Sequence, residues 1–271
     1  MSEEKQSLNK ILDVENEIPP TKGIYPLITG YVEESTGHLY DRIEVEEMSG
    51  VEEALLIDKT IPLRERLDTM MMNVVKALHP SAEAKAKGAV PISGDRERAF
   101  GVQSLPSGES VTILVASRRL GHGDTYEFKE KCPNRNCQKV NKVTFDLKNL
   151  PVRRPKSKTE RTFEVAIRSG QKFQFKVLTI GMDEQLEDLT KATNDKFTAQ
   201  IFVRMIGQSE DVNFEYVKHM KSADRELMRK AIRDHEPSIT TDTTVECDSC
   251  GTEWTSDMEV FSKGFFFPTE I

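Results

Sequence analysis

The sequence predicts an α+β fold in which one β-hairpin followed by three helices occurs twice. Two hairpin patterns recur, each is followed by amphipathic helices in the same order, and each set of helices leads into a pair of cysteines. YPLITGYVEESTGHLYDRIEV, residues 25–45, alternates apolar and polar residues on either side of the turn signal Ser35-Thr36-Gly37. RTFEVAIRSGQKFQFKVL, residues 161–178, does the same around Ser169-Gly170. An acidic helix start follows each hairpin. In SGVEEALLID, Ser49 and Glu52 are spaced as a capping box, and in MDEQLEDLTK, Asp183 is available as a cap.

A second helix comes next in both halves. PLRERLDTMMMNVVKALH places Leu63, Leu67, Met70, Met71, Val74 and Leu78 on one face, and NDKFTAQIFVRMIG groups Phe197, Ile201, Met205 and Ile206. The methionine cluster at 70–72 suits a core. Third helices begin near Ser107 and near Ser222. Ser107 lies 25 positions before Cys132, and Ser222 lies 25 before Cys247.

The cysteines carry the clearest chemistry. KCPNRNCQKV holds Cys132 and Cys137, and VECDSCGTEW holds Cys247 and Cys250. C-x4-C plus C-x2-C is a spacing at which tight turns aim two thiolates each at one tetrahedral Zn(II). Pro133 and Gly251 supply the turn chemistry. The pairs are separated by 109 residues, far more than in a compact ribbon. Loop closure grows only logarithmically and costs about 2 kcal/mol here, whereas structural zinc supplies roughly 10–16 kcal/mol. Metal wins if the intervening chain folds with its ends together. The expected fold is therefore α+β, with two hairpin and three-helix units joined by a split four-cysteine zinc ribbon holding one structural zinc per chain. Buried free thiols, unrelated turns and disulfides are the competing readings.

The organisation follows. Residues 1–24 read as a flexible lead-in passing Pro19-Pro20, 25–149 as the first half with the first knuckle, 150–160 as a linker, and 161–271 as the second half with the second knuckle and a Phe-rich tail. The linker, LPVRRPKSKTE, carries Arg153, Arg154, Lys156 and Lys158, which could touch phosphate, but no aromatic residues interleave with them. In the tail, Phe265, Phe266 and Phe267 either dock on the protein's own core or insert into a partner, and are the candidate partner-binding residues.

Composition narrows the function. The chain is 37% hydrophobic and 31% charged, enough for a substantial core, and its net charge of −7 argues against broad nucleic-acid or anionic-membrane binding. No segment has the apolar length to span a bilayer, and the N-terminus lacks a signal-peptide core, so a soluble intracellular protein is expected. P-loop, H-E-x-x-H and G-x-S-x-G motifs are absent, and nothing nominates a nucleophile or a small-molecule substrate. His122 reads as a loop residue after a helix. A four-cysteine shell leaves a metal no open position, so no enzyme is expected.

Several stretches together resemble the phage tail proteins grouped with the T-even baseplate hub assembly protein, a family of hub subunits and hub assembly chaperones. They are EVEEMSGVEEALLID, LVASRRLGHGD leading to EFKEKCPNRNC, FDLKNLPV, RSGQKFQFKVLTIGMDE, CDSCG and FFFP, in that order across most of residues 28–268. The resemblance implies a non-enzymatic role in contractile-tail assembly through contacts with hub or tape-measure proteins. It also implies a place in the host cytoplasm during assembly or in the virion tail, and a metal role for Cys132, Cys137, Cys247 and Cys250. It leaves subunit and chaperone both open. The competing class is a zinc-ribbon nucleic-acid-binding protein, favoured by the basic linker and by Lys131, Arg135 and Lys139, and opposed by Glu246, Asp248, Glu253 and Asp257.

Overall fold

The computed structural model describes residues 22–93 and 102–267, with helices and strands mixed along the chain. β1 (Lys22–Val32) and β2 (Leu39–Glu46) form an antiparallel hairpin closed at Gly37, which takes a positive φ of 69°. The strand begins at Lys22, inside the stretch expected as a lead-in, whose remaining residues 1–21 lie outside the described residues. The register of β1 breaks between Pro26 and Tyr31. There the amides of Ile28, Thr29 and Gly30 turn to the carboxylate of Glu109 at 2.7–3.2 Å. Gly30 is required at this bulge: its φ is +85°, and a Cβ would lie 2.2 Å from the carbonyl oxygen of Tyr40.

α1 (Gly50–Ile57) carries the expected capping box, with Glu52 accepting from the Ser49 amide and Ser49 accepting from the helix start. α2 (Leu63–Val74) buries Leu67, Met70, Met71 and Val74, whereas Leu63, expected on the same face, and Met72, expected in the core, are exposed. The sequence suggested that this helix runs on to His79. It stops at Val74, because the β-branched pair Val74-Val75 and Pro80 suit extended chain, and Val75–Pro80 becomes β3 beside β2. Leu78 is buried from that strand rather than from the helix. α3 (Ala82–Ala86) and the edge strand β4 (Ile92–Ser93) follow, giving the sheet order β1-β2-β3-β4. α4 (Glu109–His122) crosses this sheet with Ile113, Leu114 and Leu120 buried. It leads into the hairpin β5 (Thr125–Lys131) and β6 (Val140–Asp146).

The segment expected as a linker contains β7 (Val152–Arg153). Beyond it, β8 (Thr162–Ala166) and β9 (Lys172–Lys176) close at Gly170 with φ of 85°. α5 (Asp183–Thr193) is not capped by Asp183, which lies within the helix and accepts instead from the Ser107 hydroxyl at 2.7 Å. α6 (Lys196–Phe202) is capped by Asp195 and ends early, so that β10 (Met205–Ile206) joins β9 in the order β10-β9-β8. The single apolar face expected across 197–206 is thereby split. Ile201 and Met205 are buried, while Phe197 and Ile206 face outward. α7 (Phe214–His219) and α8 (Ser222–His235) precede β11 (Ser238–Ile239), which pairs with β7, and the hairpin β12 (Asp242–Glu246) and β13 (Glu253–Asp257).

Two apolar cores result. One gathers Ile43, Val45, Leu56, Met70, Leu78, Ile113 and Leu114 beneath the first sheet, and the other gathers Phe163, Val165, Phe175, Ile201, Val217 and Met228 beneath the second. The C-terminal segment crosses between them. Met258, Val260, Phe265 and Phe266, the last two on α9 (Lys263–Phe266), pack into the first core although the second core's residues precede them in sequence.

Candidate metal centre

Each cysteine pair sits where a hairpin turns. In the first, the amide of Cys132 bonds the Lys139 carbonyl at 2.9 Å as the ladder of β5 and β6 ends. The Asn134 side chain caps the tight turn by accepting from Asn136, and Gln138 takes a left-handed φ of 49°. The second knuckle repeats the device: the Cys247 amide bonds the Thr252 carbonyl at 2.9 Å, and Gly251 turns back to the Cys247 carbonyl with φ of 67°. These short turns point the sulfurs to one side.

The tertiary fold then brings the two turns face to face. The Sγ atoms of Cys132 and Cys250 are 3.7 Å apart, those of Cys137 and Cys247 are 3.8 Å apart, and all four lie within 4.8 Å of one another. A disulfide needs about 2.05 Å, and all four cysteines are free thiols. Sulfurs placed about 2.3 Å from a central tetrahedral ion are about 3.8 Å from each other. The donor set and its spacing therefore fit a single metal ion. Cys132 and Cys247 are buried and Cys250 is exposed. Among the described residues, His122 ends α4 and is no part of this cluster.

The thiols are not equivalent. Burial pushes the Cys132 thiol up to about 11, whereas the Thr252 hydroxyl and backbone amide hold Cys250 down to about 6. Backbone amides, first that of Ser249, hold Cys247 below the ordinary thiol value. Cys250 is thus the readier of these thiols to supply the thiolate that a cation needs, and Cys132 the less ready.

Protein contacts hold the knuckles together beside the sulfurs. Asn134 reaches the Thr252 hydroxyl at 3.4 Å, the buried Asn141 accepts from the Asp248 amide at 3.3 Å, and Trp254 donates to Glu130 at 3.0 Å. These residues were missed in the sequence, where only the cysteine spacing stands out. Asn141, Trp254 and Glu130 carry no local signal, because their partners are more than 100 positions away.

A family model described as T4 bacteriophage base plate protein matches residues 92–267, more than half of the 271-residue chain and a span that includes both knuckles. The chain belongs to the T4 base plate protein family. No curated protein matches it, and no solved structure does. Membership in this base plate family indicates a role in the phage base plate alongside other phage structural proteins, and a structural rather than an enzymatic one. No described helix is long and apolar enough to cross a membrane.

The remaining candidates fall elsewhere. Phe265 and Phe266 are fully buried in the first core, and Phe267 is partly buried against it. The backbone carbonyl of Phe265 accepts from Arg118, whose guanidinium stacks on Tyr126 at 4.8 Å. For Phe265 or Phe266 to touch a partner, the tail would have to leave this core. In the basic stretch, Arg153 pairs through its backbone with Ser238, and Lys156 meets Asp234 at 3.4 Å.

Proposed function

We propose that the chain is a non-enzymatic, zinc-containing phage tail protein that acts in base plate hub assembly, as hub subunit or assembly chaperone, through contacts with hub or tape-measure proteins. The family match over 92–267 is the observation that carries this reading. The metal part rests on the four convergent sulfurs, for which zinc is the natural occupant: an all-thiolate tetrahedral shell is closed, without redox or geometric demands. The zinc would be structural, one per chain, held by Cys132, Cys137, Cys247 and Cys250.

We further propose that the chain is a degenerate duplication, 25–149 and 161–271 about the linker 150–160. The element order supports this. Each part runs through a hairpin, two helices, a strand added beside the hairpin's second strand, a short helix, a 14-residue helix and a cysteine hairpin. The crossings are reciprocal as well: after the first knuckle the chain pairs with β11, and after the second it enters the first core. In this reading the zinc joins the halves where their equivalent turns meet.

Two experiments test the proposal. Native mass spectrometry is expected to find one zinc per chain, lost in Cys250→Ser, and wild-type protein purified fully folded with no metal bound would overturn the zinc reading. Tagged protein expressed with the other tail genes is expected to capture tail proteins in a nuclease-resistant complex; capture of nucleic acid alone would overturn the assembly reading. Stoichiometric presence in purified particles would assign a subunit, and absence from them a chaperone.

A further inference from the structure

Away from the metal centre, α8 meets α6 and β7 around a cavity of about 640 Å³ whose cationic lining is entirely arginine. Arg225, Arg229 and Arg233 follow one another every fourth residue along α8, while Arg204 and Arg153 complete the wall. Five of the chain's 16 arginines thus converge in a protein of net charge −7.

Their charge is only partly answered. Glu236 is taken up by Arg204 through two bonds, at 2.6 and 2.9 Å. Glu226 is shared by Arg229 at 2.7 Å and Arg233 at 3.0 Å. Arg225 bonds the Thr198 hydroxyl at 2.8 Å, and its Nε is buried without a hydrogen-bond partner. Arg153 makes no ion pair among the described residues. Within the lining five guanidiniums therefore face two carboxylates, with Asp195 reaching Arg225 from beyond it through the Thr198 hydroxyl. A buried, unpaired donor in a crowd of like charges is costly unless an anion completes it.

We infer that this cavity is the docking site for an acidic, extended peptide segment of a partner protein, one with carboxylates at alternate positions. Four residues of helix rise about 6 Å, and alternate residues of an extended chain recur about 6.6–6.8 Å apart on one face. A run of alternating Asp or Glu would therefore present successive carboxylates to Arg225, Arg229 and Arg233, whose planar forks bind carboxylate bidentately. Phe197, 62% exposed beside Arg229, whose guanidinium lies 5.7 Å from its ring, offers an apolar contact for a side chain between the carboxylates. A nucleic acid is the less suitable occupant. Its binding is driven by neutralising many phosphates over a broad basic surface, whereas this patch is bounded and the chain around it is acidic. The inference rests on the protein-contact reading above and names the chemistry of one contact.

The test uses the full-length, metal-loaded protein and a fluorescein-labelled peptide of five glutamates alternating with serines, read by fluorescence anisotropy. Wild type is expected to bind it and to ignore the matching glutamine peptide. Arg225→Gln with Arg229→Gln is expected to weaken binding about tenfold or more at unchanged melting temperature. Arg153→Gln, on a short exposed strand, gives the same direction without touching the helix. Absence of wild-type binding, equal binding by the variants, or tighter binding of a ten-nucleotide single-stranded DNA would overturn the inference. If the double variant still captures tail proteins from cells as wild type does, the cavity fails while the assembly role stands. If wild type captures none, the assembly role itself fails.

Discussion

Trp254 in the second cysteine hairpin donates its indole N–H to the carboxylate of Glu130 in the first, 3.0 Å away across 124 positions of sequence. It is the only tryptophan in the chain, and it lies on the hairpin that carries Cys247 and Cys250. Trp254 fluorescence should therefore report the joint between the hairpins. Chelating the metal is expected to shift its emission to the red as the indole gains water, and Glu130→Gln is expected to shift it less. Unchanged emission after verified metal loss would show that protein contacts alone hold the joint.

The same joint makes a spatial prediction for hydrogen exchange. Metal removal should raise exchange in the amides of β12 and β13, which contribute no buried member to either core, and raise it less in β5 and β6, where Tyr126, Val143 and Phe145 anchor the hairpin in the first core. Amides of β2 and β9, paired on both sides, should keep their protection. Global loss of protection would mean that the metal supports the whole fold.

Phe266 is fully buried in the first core, where it meets Phe265 edge to face at 5.1 Å. Phe266→Ala should cost about 3–5 kcal/mol in urea unfolding. Phe267→Ala should cost clearly less, because that ring is only partly buried. Equal, small effects would place the tail outside the core in solution.

Gly108 precedes α4 where the chain meets the segment leading into β11: a Cβ there would lie 2.0 Å from the carbonyl oxygen of Pro237. Backbone must move to admit a methyl group. Gly108→Ala is expected to destabilise by more than about 1 kcal/mol, measured by the urea midpoint, with metal content retained.

Asp124 accepts from Arg119 at 2.6 Å and pairs with Lys148 at 3.0 Å, and these bonds hold its carboxyl below the ordinary 3.8. In the unfolded chain Asp124 takes up its proton first as the pH falls. Its contribution to stability is therefore present above about pH 4 and lost as the pH drops through the lower folded value. Asp124→Asn should narrow its stability gap to wild type over that acid window. A gap independent of pH between 5 and 2 would remove the ion pairs as its cause.

The sequence by itself determined what depends on neighbours a few residues apart. The hairpin turns at Gly37 and Gly170, the Ser49 and Glu52 capping box, the buried face of α2 and the aim of each cysteine pair are short-range consequences of backbone and side-chain geometry. Helix ends were legible only in part: Val75–Pro80 and Met205–Ile206 turn to strand where an open sheet edge takes up their amides, a gain that adds to the local preference of Val75 and Pro80 for extended chain. Tertiary structure alone decided that Asp183 bonds Ser107 rather than capping its helix, that Phe265 and Phe266 return to the first core, and that the arginines of α8 share a cavity with Arg153 and Arg204. It also set the four sulfurs at metal-binding distance. Each of these contacts joins residues dozens to more than a hundred positions apart, and such contacts form only when burial of two separate cores fixes where the crossing segments run.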